Sequence, residues 1–198
     1  MSRFLRSALT KRFIGGSLLM STFFLFRKNH TYASERREVD EKLASACENL
    51  GYKNIKSALQ SGADPNMEID GIPAILFAIH FARNVGERAI LEEIDDKSES
   101  MIQKIALLCN IEILSMVKSL VEAGANINVI DRYGQTPLMG ACATCNVPLI
   151  EYLLSKGADK TIRDNDGDTA FDFLMLCGIM GLFSTKIDEN LLERLNPE

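Results

Sequence analysis

The chain has 198 residues, of which 46% are apolar, so it is long enough for one packed domain and an additional segment. Its formal net charge of -5 is unevenly distributed: residues 1–34 contain six basic residues and no acidic one, which leaves -11 on residues 35–198. An acidic body is a poor match to a phosphate backbone, and this argues against nucleic acid as a partner.

Residues 1–34 form a basic and hydrophobic N-terminal head. The uncharged stretch "FIGGSLLMSTFFLF", residues 13–26, would span about 21 Å as a helix, against about 30 Å for a bilayer core. The pattern fits a signal peptide, a membrane anchor or an organellar presequence, and a peripheral or disordered head is a further interpretation. We therefore expect a membrane-associated or exported protein, with membrane contact through residues 13–26. A cytoplasmic or organellar location is the alternative.

Residues 35–198 carry an internal repeat with a period of 33 residues. Landmarks at this offset are Gly124-Ala125 with Gly157-Ala158, Asp131 with Asp164, Gly134 with Gly167, and Thr136 with Thr169. A period of this length is typical of a solenoid in which each repeat covers the apolar face of its neighbour.

The first two units depart from this pattern. In the unit at residues 35–69, "LASACENLGYKNIKSALQSGAD" (43–64) aligns without a gap with residues 138–159, but the turn motif is missing, as expected of an N-terminal cap. The unit at residues 70–130 contains about 29 extra residues near 83–112. We expect this insertion to lengthen both helices of the repeat into an antiparallel pair with an acidic tip at Asp95–Ser100.

The unit at residues 131–163 is the most regular. Thr136 can cap a first helix, and Pro137 fits its first turn because the missing N–H costs nothing there. Gly157 can end the second helix in the left-handed conformation. The apolar stripe of that second helix consists of Leu149, Ile150, Leu153 and Leu154.

The last unit, residues 164–198, opens with "DNDGD", which resembles a calcium-binding loop. Counting back from Gly167, position 1 of such a loop is Ile162 and position 12 is Phe173, so both key ligands are absent. The acidic residues are better explained by turn chemistry, and we predict no metal site and no cofactor. The remainder of this unit reads as a C-terminal cap.

The segment "DRYGQTPLMGACATCNVPLIEYLLSKGAD", residues 131–159, resembles the ankyrin repeat, whose T-P-L-H-x-A motif stands here as Thr136 to Ala141 with Met139 replacing histidine. The resemblance implies an all-α solenoid of about four helix–turn–helix repeats with short β-hairpin tips, one of them with a helical insertion. It also implies a non-catalytic scaffold or adaptor for a protein partner whose identity the sequence does not give. By analogy with the family, the contact residues would be Asp131, Arg132, Tyr133, Arg163, Asn165 and Asp166 at the tips, and Met139, Gly140 and Ala143 on the exposed face of the first helices.

The alternative function is that of a thiol-dependent enzyme or redox protein using Cys142 and Cys145. This C-x-x-C lies inside a predicted helix rather than at a strand-to-helix junction, so packing explains it better. Five cysteines without a recognisable disulfide spacing favour a reducing compartment, and Cys47 and Cys142, two repeats apart, are expected to be too distant to bond. No catalytic residue is assigned.

Overall fold

The computed structural model describes residues 38–49, 51–80, 99–180 and 189–196. The N-terminal head lies outside these residues. The elements in chain order are helices α1 (Glu38–Glu48) and α2 (Tyr52–Gln60), strands β1 (Glu68–Ile69) and β2 (Ile72–Pro73), and helices α3 (residues 74–80), α4 (Glu99–Glu122), α5 (Pro137–Ala143), α6 (Val147–Ser155), α7 (Ala170–Met180) and α8 (Glu189–Leu195).

The helices stack in two rows. Helix α2 packs against α1 and α4, and α4 packs in turn against α6, which makes one row of second helices. Helix α5 packs against α6 and α7, and a Cβ placed on Gly140 of α5 would lie 3.0 Å from Ile79 of α3, so the first helices form the other row. One continuous apolar core runs through the array. This confirms the predicted all-α solenoid, in which each repeat is stabilised by its neighbours.

At the starts of α5 and α7, the side chain three residues after a threonine accepts a hydrogen bond from that threonine's backbone N. Thr136 accepts a hydrogen bond from the backbone N of Met139 at 3.3 Å, and Met139 Sδ accepts one from the backbone N of Thr136 at 3.4 Å. At α7, the Asp172 carboxylate accepts from the backbone N of Thr169 at 2.8 Å and from its hydroxyl at 2.7 Å. At α5 the two hydrogen bonds are reciprocal, and Met139, which stands where the ankyrin-repeat motif has histidine, supplies a weak sulfur acceptor.

The hairpins use two kinds of turn. Strands β1 and β2 pair antiparallel with Glu68 opposite Pro73, and their two-residue turn is Asp70-Gly71, with φ of 54° and 76°. Positive φ at both positions is the type I′ geometry that Asp-Gly favours. In the two later tips, Gly134 (φ 76°) and Gly167 (φ 88°) each follow a turn that begins at an aspartate.

The insertion is described only in its second half. Helix α4 is continuous over 24 residues, so the second helix of the interrupted repeat extends well beyond the nine residues of α6. Residues 83–98, including most of the predicted acidic tip, lie outside the described residues. Within the described part of the chain, no helix is both long enough and apolar enough to cross a membrane.

The stripe predicted for α6 needs one correction. Leu149, Ile150 and Leu153 are buried, whereas Leu154 is only half-buried and packs at the edge of the core. The residues at i, i+1 and i+4, counted from Leu149, therefore face inward, whereas Leu154 at i+5 lies closer to the surface of the helix pair.

We expect Leu153→Ala to lower the free energy of unfolding by about 2–5 kcal/mol, because it leaves a cavity in a fully buried site. Leu154→Ala is the matched control and should cost clearly less, since its side chain already meets solvent. Urea titrations followed by circular dichroism measure both values. Equal losses for the two variants would contradict this description of the core.

Candidate protein-interaction surface

The stems of the hairpins are held in register by side chains that reach from one repeat to the next. Asn66 Oδ1 accepts from the backbone N of Asn126 at 2.7 Å, and Asn66 Nδ2 donates to the Gly124 carbonyl at 3.2 Å. Asn128 Oδ1 accepts from the backbone N of Asp159 at 2.8 Å. These bonds pair backbone groups that no helix or strand would pair, and they connect the hairpins of neighbouring repeats into a row that we call the comb.

The first unit joins the same system from its helix. Asp40 Oδ1 accepts from the backbone N of Asp64 at 2.9 Å, and Asp64 Oδ1 accepts from the backbone N of Asn66 at 2.9 Å. Asp40 is buried on α1. Its carboxylate accepts the hydrogen bond from the base of the first hairpin, whereas in the later repeats this acceptor is an asparagine of the preceding hairpin. The arrangement suits a first unit that has no turn motif of its own.

The second and third tips are joined directly. The backbone N of Asn165 donates to the Tyr133 carbonyl at 3.0 Å, and Asn165 Nδ2 donates to the Arg132 carbonyl at 3.1 Å. A Cβ on Gly134 would lie 2.9 Å from Asn165 Oδ1 and 3.0 Å from its backbone N. Glycine is therefore required here for a close approach between tips as well as for its positive φ.

We call the exposed side chains of the second tip, Ile130, Arg132 and Tyr133, the tip patch. Ile130 is 54% exposed and Tyr133 is 42% exposed, both high values for large apolar or aromatic residues. The Arg132 guanidinium lies 5.0 Å from the centroid of the Tyr133 ring, a cation–π distance. The three residues together present aliphatic, aromatic and cationic surface on a fixed turn.

Sequence reasoning named Arg132 and Tyr133 but missed Ile130. The signal was available, because Ile130 stands where the next repeat has Arg163, 33 residues on. If a position is charged in the neighbouring repeat, it does not lie in the core. An apolar residue there is therefore a candidate for binding a partner rather than for stabilising the fold.

The other predicted tip residues are partly engaged within the fold. Asp131 Oδ1 accepts from the backbone N of Tyr133 at 2.8 Å and of Gln135 at 2.9 Å, so it builds the turn. Arg163 is exposed but donates to the Gly167 carbonyl at 2.8 Å. Asp166 is exposed at the third tip, beside Asn165, whose amide is engaged as described above.

The predicted helix face is corrected by the structure. Met139 is 1% exposed and Gly140 is buried, so the prediction that these two lie on an exposed face is wrong. The physical reason is that α3 of the interrupted repeat packs directly onto this face of α5, with Ile79 against Gly140. Ala143 is half-buried.

A cavity of about 310 Å³ lies between the first and second hairpins, at the base of the comb. Its walls combine apolar ring and aliphatic carbons with asparagine side chains, and they consist of Pro65, Asn66, Pro73, Ala74, Ile75, Asn126 and Val129. The walls include Asn66 and Asn126, which already bond to each other across the repeats. The cavity is therefore a groove between two hairpins of the comb, and its wall residues do not form a combination typical of a catalytic site.

The aspartates of the third tip serve the turn. Asp164 is buried, and its Oδ1 accepts from the backbone N of Asp166 at 3.0 Å and of Asp168 at 2.9 Å. Among the described residues, no group of three or more His, Cys, Asp or Glu side chains is placed to hold a metal ion. The turn explanation of "DNDGD" accounts for these contacts.

The cysteines are arranged differently from the sequence-based expectation. Cys145 forms a disulfide with Cys177 on α7, and this corrects the inference that no disulfide spacing is present. Cys47 and Cys142 are free and buried, as expected for equivalent core positions. Burial raises the pKa of the Cys47 thiol to about 12 and raises the pKa of Cys142 as well, so both remain protonated at neutral pH. A vicinal thiol pair at Cys142 and Cys145 is therefore not present to act as a nucleophile.

The stacked helix pairs and their hydrogen-bonded hairpins define a helical-repeat solenoid. Residues 82–164, which are 83 of the 198, match the family model described as ankyrin repeats in three copies, and this match supports an ankyrin-repeat protein. Ankyrin repeats indicate a protein–protein interaction module.

Several curated proteins share this similarity over part of the chain. An ankyrin repeat protein of Acanthamoeba polyphaga mimivirus is 50% identical over 56 residues, which are 28% of this chain and 8% of that protein. The ankyrin repeat and LEM domain-containing protein 1 homolog of Caenorhabditis elegans is 48% identical over 54 residues, 27% of this chain and 8% of that protein. Human protein phosphatase 1 regulatory subunit 27 is 41% identical over 61 residues, 31% of this chain and 40% of that protein. In each case the match spans well under half of the relative's length.

We expect Gly134→Ala to destabilise the protein more than Gly167→Ala. Both glycines have positive φ, so each alanine costs about 1–2 kcal/mol of backbone strain. Only at position 134 does the added methyl also meet Asn165. At position 167, no described residue other than the glycine and its two chain neighbours has an atom within 4 Å of the added Cβ. Thermal melts of the two variants measure the difference. Equal melting temperatures would show that the two tips are not in close contact.

Proposed function

We propose that this protein is a scaffold or adaptor that binds a protein partner through the tip patch, with Asn165 and Asp166 of the third tip beside it. The observation that carries the proposal is the exposure of Ile130 and Tyr133 on a turn whose backbone is fixed by the next repeat. Tyrosine and arginine are the residue types that most often dominate binding energy at protein interfaces.

The rigidity of the turn supports the same proposal. A contact residue on a mobile loop loses conformational freedom when it binds, which subtracts from the affinity. Here the carbonyl groups of Arg132 and Tyr133 both accept hydrogen bonds from Asn165, and Asp131 holds the backbone N of Tyr133. The side chains of the patch therefore start from an ordered backbone.

The composition of the patch defines the partner chemistry that it suits. A complementary surface would offer an apolar recess for Ile130 and the Tyr133 ring. It would also offer a carboxylate or carbonyl oxygen for the Arg132 guanidinium, which donates hydrogen bonds in a planar fork.

We expect Arg132→Ala/Tyr133→Ala to weaken partner binding by roughly tenfold or more while leaving the melting temperature unchanged. The matched control is Lys53→Ala/Lys56→Ala, two exposed residues on α2 away from the tips. The partner is first identified by photo-crosslinking from a photoreactive amino acid at position 133. The affinity of each variant for the purified partner is then measured. Unchanged affinity in the tip variant, or a fall of equal size in the α2 control, would contradict the proposal.

We also infer that residues 13–26 bring the protein to a membrane or into an export route. The support is the uncharged stretch of 14 residues, which is preceded by Arg3, Arg6, Lys11 and Arg12 and followed by Arg27 and Lys28. Intact mass spectrometry of protein from its native cells, together with alkaline carbonate extraction, separates the cases. A mature chain that begins near Ser34 indicates a cleaved signal or presequence, and a full-length chain in the washed membrane indicates an anchor. A full-length chain wholly in the soluble fraction would overturn the inference.

A further inference from the structure

The disulfide between Cys145 and Cys177 joins the last repeat to the one before it. Cys145 lies in the turn between α5 and α6 with a φ of 50°, and Cys177 lies on α7. The two Cα atoms are 6.2 Å apart, and both side chains are buried. The bond therefore runs inside the core, from the loop of one repeat to the first helix of the next.

The disulfide lies within the main contact of the last repeat, where α7 packs against α5. In a solenoid a repeat is held by the interfaces with its neighbours, so this contact decides whether α7 stays packed. Helix α7 is apolar over most of its length, and among residues 170–177 Ala170, Leu174 and Cys177 are buried, while Met175 is 41% exposed. The cysteine of the bond is therefore itself one of the buried residues on the inward face of this helix.

Helix α8 adds mainly exposed contacts. The Arg194 guanidinium pairs with the Glu151 carboxylate at 2.7 Å, and Lys160 Nζ donates to the carbonyls of Arg194 and Asn196 at 3.0 and 2.5 Å. An exposed ion pair contributes little, about 1 kcal/mol or less. Leu191 and Leu195 are the buried residues of α8, which has only seven residues in all.

We propose that the Cys145–Cys177 disulfide is a redox latch on the last repeat. In the oxidised chain it holds α7 against α5, and in the reduced chain the third tip and α7 open while the preceding repeats stay packed. Closing the latch removes two protons and two electrons from the two thiols and forms one S–S bond. The oxidant is a small or protein disulfide of the glutathione class, which takes up both protons and both electrons and becomes two thiols.

The latch has a consequence for binding, which rests on the proposed function. Asn165 belongs to the last repeat, and its hydrogen bonds to Arg132 and Tyr133 fix the backbone of the tip patch. Opening the last repeat removes these bonds, so reduction would loosen the contact surface without altering any residue in it. The latch is closed in compartments that sustain disulfides, which are the destinations that an export signal would serve.

The first test is chemical. Protein isolated without reductant is alkylated, denatured, alkylated with a second isotopic label and digested. We expect a linked peptide pair containing Cys145 and Cys177, while Cys47 and Cys142 carry only the second label because they are buried. Free thiols at Cys145 and Cys177 in protein from an oxidising buffer with a glutathione redox couple would overturn the proposal.

The second test measures local opening by hydrogen exchange of the purified chain, with no partner present. On reduction, amides of residues 170–180 should exchange roughly 30-fold faster or more, the ratio that corresponds to the lower end of usual disulfide stabilisation. Amides of residues 43–59 should be unchanged. Equal rates in α7 before and after reduction would overturn the latch, and so would equal acceleration along the whole chain.

Two variants control this measurement. In Cys142→Ala, which removes a buried thiol of the neighbouring helix α5 but leaves the bond intact, the response to reductant should persist. In Cys145→Ser/Cys177→Ser, α7 should exchange fast with or without reductant, and a slow α7 there would contradict the latch. If that variant does not fold, the comparison of the oxidised and reduced natural chain decides alone. Because none of these readouts uses a partner, a failure of the tip patch to bind would not affect them.

Discussion

The hydrogen bonds that Asn66 and Asn128 send into the following repeat are the interactions on which the comb of hairpins depends. The stem of a hairpin leaves backbone groups that no helix pairs, and a hydrogen bond to such a group contributes about 0.5–1.5 kcal/mol. Each asparagine pairs such a group one repeat further on and so fixes the spacing between neighbours. The stacked helices supply the apolar burial. The asparagine bonds select one register.

Much of this fold could be predicted from sequence because its landmarks act locally. Thr136 caps a helix and Gly157 ends one by the geometry of their own backbone, so their recurrence at a fixed offset identifies the repeat without knowledge of the tertiary packing. The burial of Met139 and Gly140 could not be read in this way. It is set by α3, which belongs to another repeat, and the family analogy places the same positions on an exposed face.

The disulfide was missed for a related reason. Its partners are 32 residues apart, one short of the period, so the repeat equivalent of Cys145 is Gly178 and that of Cys177 is Thr144. A search for repeating cysteines finds Cys47 and Cys142, which occupy equivalent core positions and stay reduced. The bonded pair links non-equivalent positions of adjacent repeats. Such a contact depends on how far a helix reaches past a loop, and periodicity does not encode that distance.

The same dependence on neighbours connects the contact surface to the end of the array. The tip patch is ordered by Asn165, Asn165 belongs to the last repeat, and helix α7 of that repeat is joined to the α5–α6 turn by the buried Cys145–Cys177 bond. In a solenoid, stability is passed from one repeat to the next through interfaces rather than through a common centre. The third tip connects the two residues, because Asn165 of this tip bonds to Tyr133 and the tip leads into α7, the helix of Cys177. In the proposed latch, a chemical change at Cys177 would therefore alter the order of Tyr133 without any contact between the two residues.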